Sequence, residues 1–182
     1  WTGYSFAWQA SVAARARNGA VAEQALEIFS TAFCLRNSFH CNGDQSGKGY
    51  SSMTYRPFTL EGNFAAAAAV QEMLLQSYSG TIRLFPAVPA TWKEASFETL
   101  RAEGAFLVSA ERRDGVVQRV EIVSEKGGPC RLENPFPGAG FAVQGIEKDD
   151  VEIAGDELRF ATRPGQRVVF TIESVGAPGR DT

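Results

Sequence analysis

The stretch NFAAAAAVQEMLLQSYSGTIRLFPAVP, residues 63–89, decides how the chain is organised. Its first part is alanine-rich, and the run Ala65 to Ala69 favours helix while letting a neighbouring helix approach closely. Phe64, Ala67, Ala68, Leu74, Leu75 and Tyr78 define a face to be buried, so the spacing predicts a helix over 63–78. From Thr81, TIRLFPAVP reads as a short strand entering a proline-punctuated loop. The composition changes near residue 80: helical spacing lies before it, β-branched alternation and Gly or Pro breaks after it.

Upstream, the pattern predicts a helix over 5–17 with Tyr4, Trp8 and Val12 stacked along one face. Asn18-Gly19 reads as a helix stop, with the glycine left-handed. A second helix follows over 20–35, its Ala22, Ala25, Leu26, Phe29, Ala32 and Phe33 forming an amphipathic stripe. The tight connection predicts an antiparallel αα-hairpin. A polar loop spans 37–56. Three such helices are too few to close a barrel or bundle, and apolar residues on more than one side of each imply missing neighbours.

Downstream, 105–113 and 116–123 flank Asp114-Gly115, a strong hairpin signal. Further strands are expected at 129–134, 151–154, 157–161 and 167–173, where Val168, Phe170 and Ile172 alternate with outward residues. Short strands with turn signals between them suggest an antiparallel sandwich. The tail at 176–182 reads as frayed, and no internal repeat is present.

The 182 residues suit one large domain or two small ones. Apolar residues at 44% and charged residues at 21% place the chain among soluble globular proteins. A net charge of −3 gives no basic footprint for nucleic acid or an anionic membrane. No apolar run approaches the ~20 residues of a membrane span. The chain begins at Trp1 without a methionine and reads as a processed or excised piece, its compartment open. Cys34, Cys41 and Cys130 match neither a disulfide framework nor a zinc pattern, although Cys34 and Cys41 could pair across a loop in an oxidising compartment.

GDQSGKG (43–49) fails as a phosphate loop: three residues, not four, separate Gly43 from Gly47, and Gly49 follows the lysine where Ser or Thr is needed. It reads as a solvated flexible loop. His40, the single histidine, reads as a loop residue without a special task. One histidine and no serine elbow argue against a nucleophilic triad. Trp1, Tyr4, Phe6 and Trp8 suit either a sugar-stacking face or a core, with Trp8 on the core side. Arg15 and Arg17 suit a helix C-terminus.

Glu61, in FTLEGNFA, admits two readings. At a helix N-terminus its carboxylate gains ~0.3–1 kcal/mol, although Asn63 is the better candidate for the cap itself. The same position also keeps a carboxylate ionised and ready to orient or deprotonate a water.

The ordered set TGYSFAW (2–8), PFTLEGNFA (57–65), EMLLQS (72–77), LFPAVPATW (84–92) and LRAEGAFLV (100–108) resembles the C-terminal part of glycoside hydrolase family 95, the inverting α-L-fucosidases. The resemblance covers roughly residues 1–110. It implies an α+β multidomain fragment: residues 1–80 as the last helices of an (α/α)6 catalytic barrel, and 81–182 as an antiparallel β-sandwich. It also implies a water activated by the Asp of an I-D-G-N motif, here Glu61, with the general acid and two water-holding asparagines in earlier parts of the barrel. Glu61 is therefore the expected catalytic residue, with Tyr55, Arg56 and Asn63 as nearby pocket or scaffold residues and Phe58 and Phe64 as core supports. Implied partners are an oligosaccharide substrate and the N-terminal remainder of the same enzyme. Water as nucleophile implies no cofactor or metal, and the isolated chain is expected to be silent. The sequence departs from the family pattern at Glu61 for Asp, Tyr55 for His, Tyr4 for Trp and Ala65 for Gly, so α-L-galactosyl linkages stand beside α-L-fucosyl ones. The alternative is a non-catalytic carbohydrate-binding or structural module with a helical adaptor.

Overall fold

The computed structural model describes residues 1–173; the tail expected to fray at 176–182 lies outside them. The chain forms two compact units. Trp1–Leu75 joins Phe85–Thr91 in a helical unit, and Gln76–Leu84 joins the chain from Trp92 onward in a β-rich unit. Two two-residue strands, β1 (Leu75–Gln76) and β2 (Arg83–Leu84), lie where the chain passes between them.

The helical unit contains α1 (Gly3–Arg15), α2 (Gly19–Ala32) and α3 (Leu60–Leu74). Each begins one to three residues earlier than its spacing predicts. Between α1 and α2 the left-handed residue is Arg17 (φ 56°), not Gly19. Arg17 N donates to Ala14 O and Asn18 N to Ala13 O, both at 2.9 Å, the paired bonds of a Schellman ending. Asn18 then caps α2, its Oδ1 accepting from Val21 N at 3.1 Å. Gly19 is instead required by close approach, since a β-carbon there would press on the Ala87 carbonyl.

The core of this unit reverses part of the expectation. Ala10, Ala25 and Ala69 are buried together, and Phe6, Phe29 and Phe33 form a second cluster with Ala7 and Ala32. Tyr4, Trp8 and Val12 do stack along one face of α1, but they are 43%, 62% and 49% exposed, and Phe64 is 65% exposed. Ala67 and Ala68 are exposed as well. The physical reason is size. Helices approach closely only through small side chains, so the alanine faces meet and the bulky residues are turned outward. Arg15 closes the far end through a forked pair with Glu72 on α3, at 2.8 and 3.2 Å.

The segment Phe85–Thr91 returns to the helices as a strap. Phe85 N donates to Leu74 O at 2.7 Å and Ala87 N to Met73 O at 3.3 Å, with Ala87 buried against Gly19.

The β-rich unit holds β3 (Ala95–Ala102), β4 (Phe106–Arg113), β5 (Val116–Ser124), β6 (Gly128–Glu133), β7 (Phe141–Gln144), β8 (Glu152–Ala154), β9 (Glu157–Thr162) and β10 (Gln166–Ile172). One antiparallel sheet has the order β3-β4-β5-β10-β7 and a second has β6-β9-β8. The β4–β5 hairpin turns on Asp114 and Gly115, both at positive φ, as the dipeptide predicts. Val108, Val120, Ile122, Val168 and Phe170 point inward from the larger sheet and Leu132, Leu158 and Phe160 from the smaller. Phe160 meets Phe170 at 5.4 Å between ring centroids, and Thr162 Oγ1 donates to Ser124 Oγ at 2.9 Å. β3 and β7, absent from the sequence reading, are the two edge strands of the larger sheet.

Candidate functional site

The first turn of α3 carries Glu61, so the carboxylate lies within the helix and not ahead of it. Thr59 is the N-cap residue in place of Asn63, and its side chain makes no cap bond. The reason is that both side chains are engaged elsewhere, on the loop at 38–42. Asn63 Oδ1 accepts from His40 N at 2.9 Å, and Asn63 Nδ2 donates to Ser38 O at 2.8 Å. Thr59 N donates to His40 O at 3.3 Å, and Thr59 Oγ1 lies 2.7 Å from His40 Nδ1 and 3.4 Å from Asn42 Oδ1. A single β-bridge joins Cys41 to Phe58 just before the cap. Glu61 is thus flanked, two residues on either side, by groups tied to one loop.

His40 is the centre of this arrangement and is fully buried. Its ring stacks on Phe29 of α2, with centroids 5.2 Å apart and an interplanar angle of 15°. Nδ1 lies 2.9 Å from the Thr59 carbonyl oxygen, which only accepts, so this nitrogen carries the proton. Nε2 is buried and has no hydrogen-bond partner among the described residues. A β-carbon at Gly3 would collide with Nε2, and one at Gly62 with Nδ1. The histidine expected to have no task therefore holds the N-termini of α1 and α3 and the last turn of α2 around one ring. The two glycines were the available signal, since glycine in a helix costs ~1 kcal/mol relative to alanine unless packing requires it.

Glu61 itself is exposed and makes no side-chain hydrogen bond or ion pair to any described residue. Arg56, also exposed, donates from Nε to Gln45 Oε1 at 2.5 Å. Tyr55 is exposed, and its carbonyl presses on Gly43, where a side chain would not fit. No hydrogen bond joins Glu61 to Tyr55, Arg56 or Asn63 among the described residues. Phe58, expected in the core, is half exposed and stacks on the equally exposed Phe39 at 4.7 Å.

The loop at 43–50 is organised around a charge. Asp44 is buried, and its carboxylate accepts from Ser46 N at 2.7 Å, Ser46 Oγ at 2.6 Å and Tyr50 N at 2.9 Å. The Ser46 hydroxyl, above all, holds its pKa below the usual carboxylate value. The loop is therefore anchored internally at Asp44, while Gly47, Lys48 and Gly49 are exposed to solvent as its glycines suggest. Cys34 and Cys41 are free thiols. Among the described residues no group of three His, Cys, Asp or Glu is arranged to hold a metal, and no helix is long and apolar enough to cross a membrane.

Residues 1–74 match the glycosyl hydrolase family 95 catalytic domain and residues 76–170 the glycoside hydrolase family 95 C-terminal domain. A curated relative, alpha-L-fucosidase 2 of Arabidopsis thaliana, is 34% identical over 127 residues, which are 68% of this chain and 15% of the relative. The chain thus spans about 15% of that relative's length. Among solved structures, a GH127 β-L-arabinofuranosidase from Geobacillus stearothermophilus T6 is 14% identical, with 86% of this chain and 28% of that one covered and a TM-score of 0.32. A family 39 glycoside hydrolase from Bacteroides cellulosilyticus WH2 is 15% identical, covering 72% and 24%, with a TM-score of 0.34. These two likenesses are too slight to argue from. The sequence matches run consecutively over both units, from Trp1 ahead of α1 into the last strand, and the chain belongs to glycoside hydrolase family 95.

Proposed function

We propose that the chain is the C-terminal part of an inverting glycoside hydrolase acting on terminal α-L-fucosyl or α-L-galactosyl linkages of oligosaccharides, with Glu61 as the base-side carboxylate. Residues 1–80 then close an (α/α)6 barrel and 81–182 form a C-terminal β-sandwich, with the strap at 85–91 returning to the helices. Family membership supports the reaction class, and the fucosidase activity for which the Arabidopsis relative is named supports the sugar.

The observation that carries the reading is an exposed, unpaired carboxylate on a first turn clamped from both sides. Inversion requires an acid at the leaving oxygen and a base at a water on the opposite face, ~6.5–9.5 Å apart. A base must be free of internal partners yet fixed in position, because a ~1 Å displacement can cost ~100-fold in rate. Glu61 has both properties. The acid and the water-holding asparagines come from the N-terminal remainder of the protein, which is also the partner for the exposed Tyr4, Trp8, Val12 and Phe64 faces. Tyr55 and Arg56 act at the pocket, while Asn63, with both ends of its amide engaged, acts as scaffold.

Glu61→Gln in the full-length enzyme tests this. A kcat lower by several orders of magnitude with unchanged folding supports catalysis. One observation favours a second reading: Glu61 lies where a carboxylate complements the helix N-terminus. On that reading, a non-catalytic module with a structural Glu61, the variant keeps its rate and melts at a lower temperature. The isolated 182-residue chain is expected to be silent, and robust turnover of an aryl α-L-fucoside by it alone would sink the assignment.

A further inference from the structure

We propose that His40 is a positioning residue for Glu61: the imidazole, clasped between Gly3 and Gly62, sets the orientation of the α3 first turn and so of the carboxylate. The inference rests on the reading of Glu61 as the base-side residue and deepens it.

A first helical turn is ordinarily the least constrained part of a helix, because its N–H groups lack intrahelical partners and the end frays. Here the usual remedy is missing, since the Thr59 side chain makes no cap bond. The constraint comes from outside. His40 Nδ1–H is directed at the Thr59 carbonyl at 2.9 Å, with the Thr59 hydroxyl 2.7 Å away. The backbone N–H of the same residue donates to Asn63. The absence of a β-carbon at Gly62, the neighbour of Glu61, lets the α3 backbone lie against the ring.

The ring in turn is closely packed. Phe29 covers one side of it, and Gly3 of α1 stands against Nε2. A nitrogen without a partner in a fully buried site is costly, and a hydrogen-bonding core residue would not be placed so for packing alone. One tautomer fits: Nδ1–H engaged and Nε2 bare against an α-carbon. The bonds made by Nδ1 and by the His40 N–H offset the cost at Nε2 and hold the first turn, while Glu61 has no partner among the described residues. His40 touches no substrate; its effect passes through Thr59, Gly62 and Asn63.

The test uses the full-length enzyme with aryl α-L-fucoside and aryl α-L-galactoside as probes. His40→Phe keeps a ring on Phe29 and removes the Nδ1 donor. Its kcat is expected to fall ~100-fold, the cost of ~1 Å of misplacement, with KM little changed. His40→Asn, whose amide nitrogen lies near the place of Nδ1, is expected to recover much of that loss, and His40→Gln, which reaches toward Nε2, is not. In a Glu61→Gln background His40→Phe is expected to add almost nothing, because there is no carboxylate left to orient.

A folded His40→Phe with unchanged kcat overturns the proposal, as does a loss of equal size in the Glu61→Gln background. If His40→Phe does not fold, the Asn and Gln variants decide: a lower kcat for Gln supports positioning and equal values overturn it. Should Glu61→Gln alone keep its rate, the catalytic reading of Glu61 falls first. An essential Glu61 with an indifferent His40 removes only the positioning role.

Discussion

Replacing Asn63 by alanine removes two hydrogen bonds that tie α3 to the loop at 38–42, one to His40 N–H at 2.9 Å and one to Ser38 O at 2.8 Å. Each neutral bond contributes ~1 kcal/mol net, and a part-buried N–H left without an acceptor adds to the loss. Alanine returns ~0.5 kcal/mol of helix propensity. The net local destabilisation is therefore ~1.5–2.5 kcal/mol, which is ~10- to 70-fold in an opening equilibrium. Global unfolding of a multi-unit protein is a poor measure of so local a change. Hydrogen–deuterium exchange of the full-length protein reads it directly, in peptides spanning 38–42 and 58–64. Both should exchange faster by that factor, while peptides in β4, β5 and β10 stay as they are. Asn63→Asp separates the two bonds. It keeps an acceptor for His40 N–H, strengthened by charge and by the helix N-terminus, but sets an oxygen against the Ser38 carbonyl, so its effect should be smaller and centred on residue 38. Unchanged exchange at 38–42 in the alanine variant, with faster exchange only within α3, would refute the clamp and leave Asn63 a helix residue of no special role.

Three further expectations concern the rest of the chain. Phe170 is fully buried and meets Phe141 and Phe160, at 5.7 and 5.4 Å, so Phe170→Ala should cost ~3–5 kcal/mol, seen as a lower urea midpoint for the β-rich unit. A loss below ~1 kcal/mol would mean that these rings do not form the core. Arg131, and then the Thr81 hydroxyl and Arg159, lower the Glu157 pKa from 4.5 to about 2. The folded value lies below the unfolded one, so the stabilisation is complete above pH ~4.5 and is lost as pH falls toward 2. Melting temperatures of wild type and Glu157→Gln should therefore converge over that window, and a constant gap between them would exclude the linkage. Thiol alkylation followed by mass spectrometry should modify the partly exposed Cys34 first. Cys130, whose thiol burial pushes up to about 12, should react only on unfolding; early labelling of Cys130 would contradict its burial.

Much of the fold was legible because its signals are local. The change of period near residue 80, the Asp114-Gly115 hairpin and the alternation of Val168 and Phe170 each declare themselves within a few residues. β3 and β7 were not legible for the opposite reason. As edge strands they bury few residues, Phe97 and Ala102 in β3 and Phe141 in β7, so no sustained alternation marks them. The helices were found but their faces were partly misassigned, because hydrophobicity alone ranks Phe64 and Trp8 above alanine. Close approach ranks them the other way. What the sequence did show was that apolar residues exceeded what three helices could cover, and the exposed Tyr4, Trp8, Val12 and Phe64 are that excess.

Of the candidate site the sequence singled out Glu61 but not what holds its helix turn, and the reason lies in how those surroundings are built. Its support comes from Gly3, His40, Thr59, Gly62 and Asn63, drawn from two helix starts and a loop, and no window of sequence holds more than three of them. Yet Gly3 and Gly62 share a reading once the structure is in view. A glycine within the first turn of a helix weakens that turn; all three helices carry one, and while Gly19 answers to the Ala87 carbonyl, Gly3 and Gly62 share a cause. That cause is a side chain thick enough to require both backbones bare, and the one buried polar ring at their junction is His40. The motifs TGYSFAW and LEGNFA, which look like separate signatures in the chain, are in this sense two halves of one contact. A substitution at Gly3 should therefore disturb α3 and Glu61 although it lies on α1, and exchange at 58–64 in a Gly3→Ala variant is the place to see it.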